Sequence, residues 1–164
     1  MVQVTISING KKYSADVEPR LLLVHFIRDV AKLKGTHVGC DTGHCGACTV
    51  IMDGKPVKSC QLFAVQADGS EILTVEGLEQ NGKLSVEQEA FRDNFAIQCG
   101  YCTPGMLMMT YYLIRKYPTL SRSEIRRKLH GNYCMCTGYV HIINAVEDAH
   151  RRYWKERGQI NLGK

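Results

Sequence analysis

The stretch GTHVGCDTGHCGACT, residues 35–49, interleaves Cys40, Cys45 and Cys48 with Gly35, Gly39, Gly43 and Gly46. A loop of this kind can fold its main chain inward, because glycine opens positive φ angles and leaves room for close approach. Its amides can then turn toward sulfur, and such hydrogen bonds stabilise added electron density on a thiolate-held metal group. Cys60 follows Cys48 after eleven intervening residues and completes a set of four. The other four cysteines, Cys99, Cys102, Cys134 and Cys136, form a C-x2-C clip and a C-x-C clip separated by 31 residues. Eight cysteines therefore divide into two complete four-ligand sets, and the arithmetic points to two metal centres.

C-x4-C-x2-C with a more distant fourth cysteine is the spacing that wraps a loop around one [2Fe-2S] rhomb in plant-type ferredoxins. The second set is closed only if the fold brings its two clips together. A disulfide framework is the competing reading of an even cysteine count. Residues 1–20 have no charged segment followed by an apolar run and a small-residue cleavage site, and no stretch approaches 18 apolar residues. The expectation is a chain with no signal peptide and no transmembrane segment, in a reducing compartment that favours thiolate–metal sites. Zinc sites pair one short clip with another, so the glycine-rich loop favours iron–sulfur over zinc. His37 and His44 flank this loop and are the side chains a Rieske-type centre needs, but four cysteines complete the set without them.

The net charge of +5 is uneven: residues 1–80 carry 8 Lys or Arg against 9 Asp or Glu, and residues 81–164 carry 13 against 7. A basic second half raises the question of nucleic acid. Each oxidised [2Fe-2S] core with four thiolates carries about −2, so two of them bring the chain to about +1. Arg126, Arg127 and Lys128 then read as a solvated or partner-facing helix surface, and nucleic-acid binding is not expected.

Val2, Val4, Ile6 and Ile8 alternate with polar residues, and Asn9-Gly10 supplies a hairpin turn before a second strand near 11–17. Pro19 precedes an expected helix over 21–30 with Leu22, Phe26 and Val30 at core spacing. Strands follow at 47–52, 56–60 and 71–75, with Asp53-Gly54 as a second hairpin turn. In the second half, Ser85 with Gln88 and Ser121 with Glu124 are capping boxes. They open expected helices near 85–97 and 121–130. Further helices are expected from Thr103, with Pro104 in its first turn, to Tyr117, and over 138–154, where Val140, Ile143, Val146 and His150 lie near one face. Val86, Ala90, Phe91 and Phe95 or Ile97 form the apolar side of the first helix. The run from Met106 to Met109 with Tyr111 and Tyr112 reads as helical core, and Trp154 as a packing or interface residue. The fold class is α+β, divided at 1–80 and 81–164, the second part being a small four-helix bundle. Both clips of the second set fall in interhelical junctions, so these must meet at one end of the bundle, where helix starts offer free amides.

GCDTGHCGACTV, QCGYCTPGM and GNYCMCTGY together resemble the iron–sulfur signatures of the small subunit of the xanthine oxidase and carbon monoxide dehydrogenase family of molybdenum hydroxylases. The resemblance covers nearly the whole chain. It implies an N-terminal beta-grasp ferredoxin-like domain holding one [2Fe-2S] cluster on Cys40, Cys45, Cys48 and Cys60, and a helical domain holding another on Cys99, Cys102, Cys134 and Cys136. It also implies that Gln98 and Cys136 approach the pterin of a large catalytic subunit carrying molybdopterin in its cytosine dinucleotide form. The ferredoxin-like cluster would face FAD on a medium subunit, and the assembly would be a dimer of heterotrimers in the cytoplasm, free or at the inner face of the membrane. Where relatives commonly read C-R-C-T-G, Met135 stands between Cys134 and Cys136, which removes a positive charge but no ligand. Neither a G-x-G-x-x-G after a strand nor a molybdenum-pocket sequence is found, so the chain is expected to conduct electrons and not to choose the substrate. The resemblance leans toward the carbon monoxide dehydrogenase branch, with aldehyde or N-heterocycle hydroxylases and hydroxybenzoyl-CoA reductase as alternatives. A free two-cluster ferredoxin and a zinc-binding interaction module are alternatives of another class.

Overall fold

The computed structural model describes residues 1–158 and shows an α+β chain: a mixed five-stranded sheet crossed by a short helix, then four further helices. Strands β1 (Val2–Ile8) and β2 (Lys11–Val17) form the expected antiparallel hairpin, with Ile8 paired to Lys11 across Asn9-Gly10. Both turn residues have positive φ, 52° and 78°, as a tight two-residue turn requires. Val4, Ile6 and Ile8 point into the core, whereas Val2 is exposed at the strand's start.

Helix α1 (Leu23–His25) is shorter than the expected 21–30 and widens into a π-helical turn over Phe26–Val30. Leu23, Val24, Phe26 and Ile27 are fully buried, whereas Leu22 and Val30, expected at core spacing with Phe26, are only partly buried. Strands β3 (Thr49–Met52) and β4 (Lys55–Lys58) are joined through Asp53-Gly54, and β5 (Glu71–Leu73) inserts between β1 and β3. It runs parallel to β1 and antiparallel to β3, which makes the sheet mixed.

Ser85 and Ser121 cap α2 (Val86–Asp93) and α4 (Arg122–Lys128) through the expected capping boxes. Helix α2 stops earlier than expected. Asn94 caps it by donating from Nδ2 to the Ala90 carbonyl, and Phe95 then takes a left-handed φ of 54°. That turn throws Phe95 and Ile97 off the apolar face: Phe95 is 78% exposed. Helix α3 (Thr103–Lys116) carries Pro104 in its first turn and buries Met106, Leu107, Met108, Leu113 and Ile114. Helix α5 (Val140–Glu156) packs against α2, α3 and α4. Its start is set by Tyr139 at φ 69°, which leaves Val140 55% exposed instead of on the core face; Ile142, Ile143, Val146 and His150 are buried. Trp154 is a packing residue whose Nε1 donates to the Ile114 carbonyl at 2.9 Å. Ile51 and Leu78, from the first half, join the core formed by the helices. No helix of the described residues is long and apolar enough to cross a membrane.

Asp148 on α5 ties α2 to α5. Burial alone raises its pKa, but ion pairs with Arg152 and Arg151 and a hydrogen bond from Asn94 outweigh this and hold it below the ordinary 3.8. A carboxyl lowered in the folded state stabilises the fold above its unfolded pKa, and this contribution is lost as pH falls from there through the folded value. Asp148→Asn should therefore unfold at lower temperature than wild type at neutral pH. The gap should close as pH falls below about 3.8, a trend that thermal unfolding across a pH series would check.

Candidate metal centres

The β3–β4 hairpin brings the ends of the first cysteine set together. Thr49 pairs with Lys58, so Cys48, just before β3, and Cys60, just after β4, lie side by side. Ser59 secures this by donating from both its amide, at 3.2 Å, and its hydroxyl, at 2.7 Å, to the Cys48 carbonyl. Cys40 and Cys45 close the other side, with the Cys45 amide donating to Cys40 Sγ at 3.3 Å and the Thr42 amide at 3.5 Å. Lys58 Nζ reaches over the loop to donate to the Gly43 carbonyl, and Gln61 Nε2 donates to Cys60 Sγ at 3.4 Å.

Two interhelical junctions form the second set, as the sequence required. Cys102 occupies the cap position of α3 and Cys99 precedes it, while Cys134 and Cys136 lie between α4 and α5. Cys99 interacts with Cys136 and with Cys134, and Cys102 with Cys134. Thr137 donates to Cys134 Sγ from both its amide, at 3.4 Å, and its hydroxyl, at 3.2 Å. The sulfur-directed hydrogen bonds thus come from the main-chain amides of Thr42, Cys45 and Thr137, the Thr137 hydroxyl and the Gln61 side-chain amide. The start of α3 contributes a cysteine at its cap position.

All eight cysteines are free, and the cysteines that each one interacts with belong to its own set of four. Their acidities are spread apart by local environment. The Cys45 amide, aided by Thr42, lowers Cys40 to about 6, whereas burial and then Cys60 push Cys48 up to about 12. Burial and then Cys134 likewise push Cys102 up to about 12. Burial also works against ionisation of Cys134, but the two bonds from Thr137 outweigh it and its pKa is lowered. A pocket of crowded thiols that resists full ionisation needs a positive core to hold all four as thiolates. The donors are soft sulfurs, four to a set. Thiols arranged as neighbouring pairs match a two-iron rhomb, in which each iron takes two.

Both histidines are engaged elsewhere. His37 stacks on Tyr101 with centroids 4.8 Å apart, its Nδ1 2.9 Å from the Tyr101 carbonyl, and His44 Nδ1 lies 3.0 Å from the Thr42 hydroxyl. Gln98, Cys99 and Cys136 are exposed, and Met135 is 98% exposed beside them.

The two loops also touch each other, which no local spacing announces. The Tyr133 amide donates to the Cys45 carbonyl at 2.8 Å, so residues adjoining the two thiol sets share a main-chain hydrogen bond. The Tyr101 hydroxyl donates to the Val38 carbonyl at 2.6 Å, and Asn132 Nδ2 to the Gly46 carbonyl at 3.0 Å.

Comparison with known proteins agrees with this geometry. Residues 6–88 match the 2Fe-2S iron–sulfur cluster binding domain family, and residues 74–147 match the [2Fe-2S] binding domain family. The chain is 46% identical over 147 residues to caffeine dehydrogenase subunit gamma of Pseudomonas sp. (strain CBB1), covering 88% of each chain. It is 41% identical to the xanthine dehydrogenase iron–sulfur-binding subunit of Escherichia coli O157:H7, covering 92% of this chain and 95% of that one. A chain in the crystal structure of quinoline 2-oxidoreductase from Pseudomonas putida 86 superposes with a TM-score of 0.90 at 44% identity, over 97% of this chain and 98% of that one. Two thiol sets on this fold, with relatives of this kind along almost the full chain, make it a member of the family of small iron–sulfur, electron-transferring subunits of molybdenum hydroxylases.

Proposed function

We propose that Cys40, Cys45, Cys48 and Cys60 hold one [2Fe-2S] cluster in a beta-grasp domain, residues 1–80, and that Cys99, Cys102, Cys134 and Cys136 hold a second in a four-helix domain, residues 81–164. When bound, the two clusters supply one-electron carriage between a molybdopterin site, in its cytosine dinucleotide form, on a large catalytic subunit and FAD on a medium subunit. The observation that carries this reading is the pair of self-contained thiol sets whose loops share a main-chain hydrogen bond. Thr42, Cys45 and Thr137 direct donors at thiol sulfur, which stabilises negative charge there and raises the ease of reduction. The exposed end bearing Gln98 and Cys136 faces the large subunit as the donor side, and the loop around Cys40 and Cys45 faces the medium subunit. The assembly is a cytoplasmic dimer of heterotrimers, and any contact with the inner face of the membrane is peripheral.

Caffeine, xanthine and quinoline, named in the three relatives, are aromatic N-heterocycles. They favour an N-heterocycle hydroxylase over the carbon monoxide dehydrogenase branch as the complex this chain serves. Purifying the native assembly and analysing it for molybdenum, cytidine nucleotide and FAD tests the reading. Co-purification of a large and a medium subunit with these cofactors is expected; a chain that isolates alone with both clusters loaded would make it a free ferredoxin.

Gln98→Ala removes a polar side chain from the donor side and no thiol. In the assembled complex it should leave both clusters in place and reducible by dithionite, yet slow their reduction by an N-heterocycle in rapid-mixing measurements. Unchanged kinetics would remove Gln98 from the route.

A further inference from the structure

Where Gly46 meets the second cysteine loop, main chain packs directly on main chain, and three residues shape this contact. Gly46, between Cys45 and Cys48, has φ 72°, and a Cβ placed on it meets the Gly131 carbonyl oxygen head-on and Asn132 Nδ2 at 2.7 Å. Gly105, in the first turn of α3 just after Cys102, lies so close to Gly46 that its own Cβ would collide with the Gly46 carbonyl oxygen and meet Ala47 Cα at 3.0 Å. Asn132 is buried in the same seam, where Nδ2 donates to the Gly46 carbonyl at 3.0 Å and to Thr49 Oγ1 at 3.3 Å. The Thr49 hydroxyl donates to that same carbonyl at 2.6 Å. The Cys45 carbonyl, one residue from Gly46, accepts from the Tyr133 amide, one residue from Cys134.

We propose that Gly105, Gly46 and Asn132 are positioning residues for electron passage between the two clusters: by keeping the loops in main-chain contact they preserve the Cys45–Tyr133 hydrogen bond as the short link from one thiol set to the other. This rests on the two-cluster reading above. Gly105 carries the sharpest consequence. It has no positive φ and sits in a helix, where alanine is ordinarily the better residue. Alanine at this position therefore acts through one thing only, the wedge its methyl group drives against Gly46. Electronic coupling falls steeply as a hydrogen-bonded link gives way to a gap, so a small separation is enough to matter.

The test uses the full chain carrying both clusters. In the dithionite-reduced wild type, the two paramagnetic centres should split each other's resonance signals. After flash injection of one electron from a photoexcited deazaflavin, the electron should redistribute between the centres in a resolved fast phase. Gly105→Ala should keep both signals and full iron content but narrow the splitting and slow the fast phase. Gly131→Ala is the control, because its Cβ makes only ordinary contact with Lys58, at 3.6 Å, and it should behave as wild type. If Gly105→Ala does not load both clusters, Asn132→Ala adds no atoms, breaks the side-chain tie and should show the same changes. A loaded variant of either kind with splitting and fast phase intact overturns the proposal, as does an equal change in Gly131→Ala. A wild-type chain with only one centre would instead sink the two-cluster reading.

Discussion

Cys45→Ser should abolish one reduced-state resonance signal and leave the other, and Cys102→Ser should do the reverse. Each substitution removes one thiol from a set whose cysteines interact with one another and not with those of the other set. Binding of a metal group is also folding free energy for the part that holds it, so damage should be local before it spreads. Cys45 lies in the loop that leads into the β3–β4 hairpin, whereas Cys102 caps α3, so their losses should destabilise different parts of the chain. Iron content should fall by about half in each variant, as expected when one of two two-iron groups is lost. Loss of the same signal in both variants would mean that the eight cysteines are partitioned otherwise.

Arg115→Met should cost about 3–5 kcal/mol of stability, the penalty for leaving a buried charge without its partner. Glu87 on α2 is fully buried and pairs with Arg115 on α3, and its second carboxylate oxygen has no hydrogen-bond partner among the described residues. The guanidinium is held in place by stacking over Tyr111, at 3.6 Å, and Tyr153, at 4.8 Å. Methionine keeps much of the apolar contact with these rings but strands the carboxylate. Adding Glu87→Gln to Arg115→Met should recover a large part of the loss, since an amide tolerates burial far better than an ion. Unfolding midpoints of the cluster-loaded chain would check both. An Arg115→Met variant as stable as wild type would show that the pair contributes nothing.

What the sequence disclosed about this chain was local. Cysteine spacing pointed to the two groups of thiols that lie together, and Asn9-Gly10 and Asp53-Gly54 marked the hairpins and Ser85 and Ser121 two helix starts, because each signal acts over a few residues. Features set by distant partners were not legible. The end of α2 depends on Asn94, which is committed both to Ala90 and to Asp148 on α5, and no proline or glycine marks the stop. Val140 left the core face because Tyr139 adopts a left-handed conformation that a non-glycine residue does not advertise. The π-helical turn at Phe26–Val30 breaks the simple α spacing that put Val30 in the core beside Phe26. The meeting of Asn132 with Gly46 joins positions 86 residues apart and carries no spacing signal of its own.

The central claim is that one chain carries two distinct two-iron centres. Iron and sulfide analysis of the intact chain, together with electron paramagnetic resonance after dithionite reduction, tests it most directly. About four iron per chain and two resolvable [2Fe-2S] signals are expected. About two iron with a single signal, a four-iron cluster, or stoichiometric zinc would contradict it.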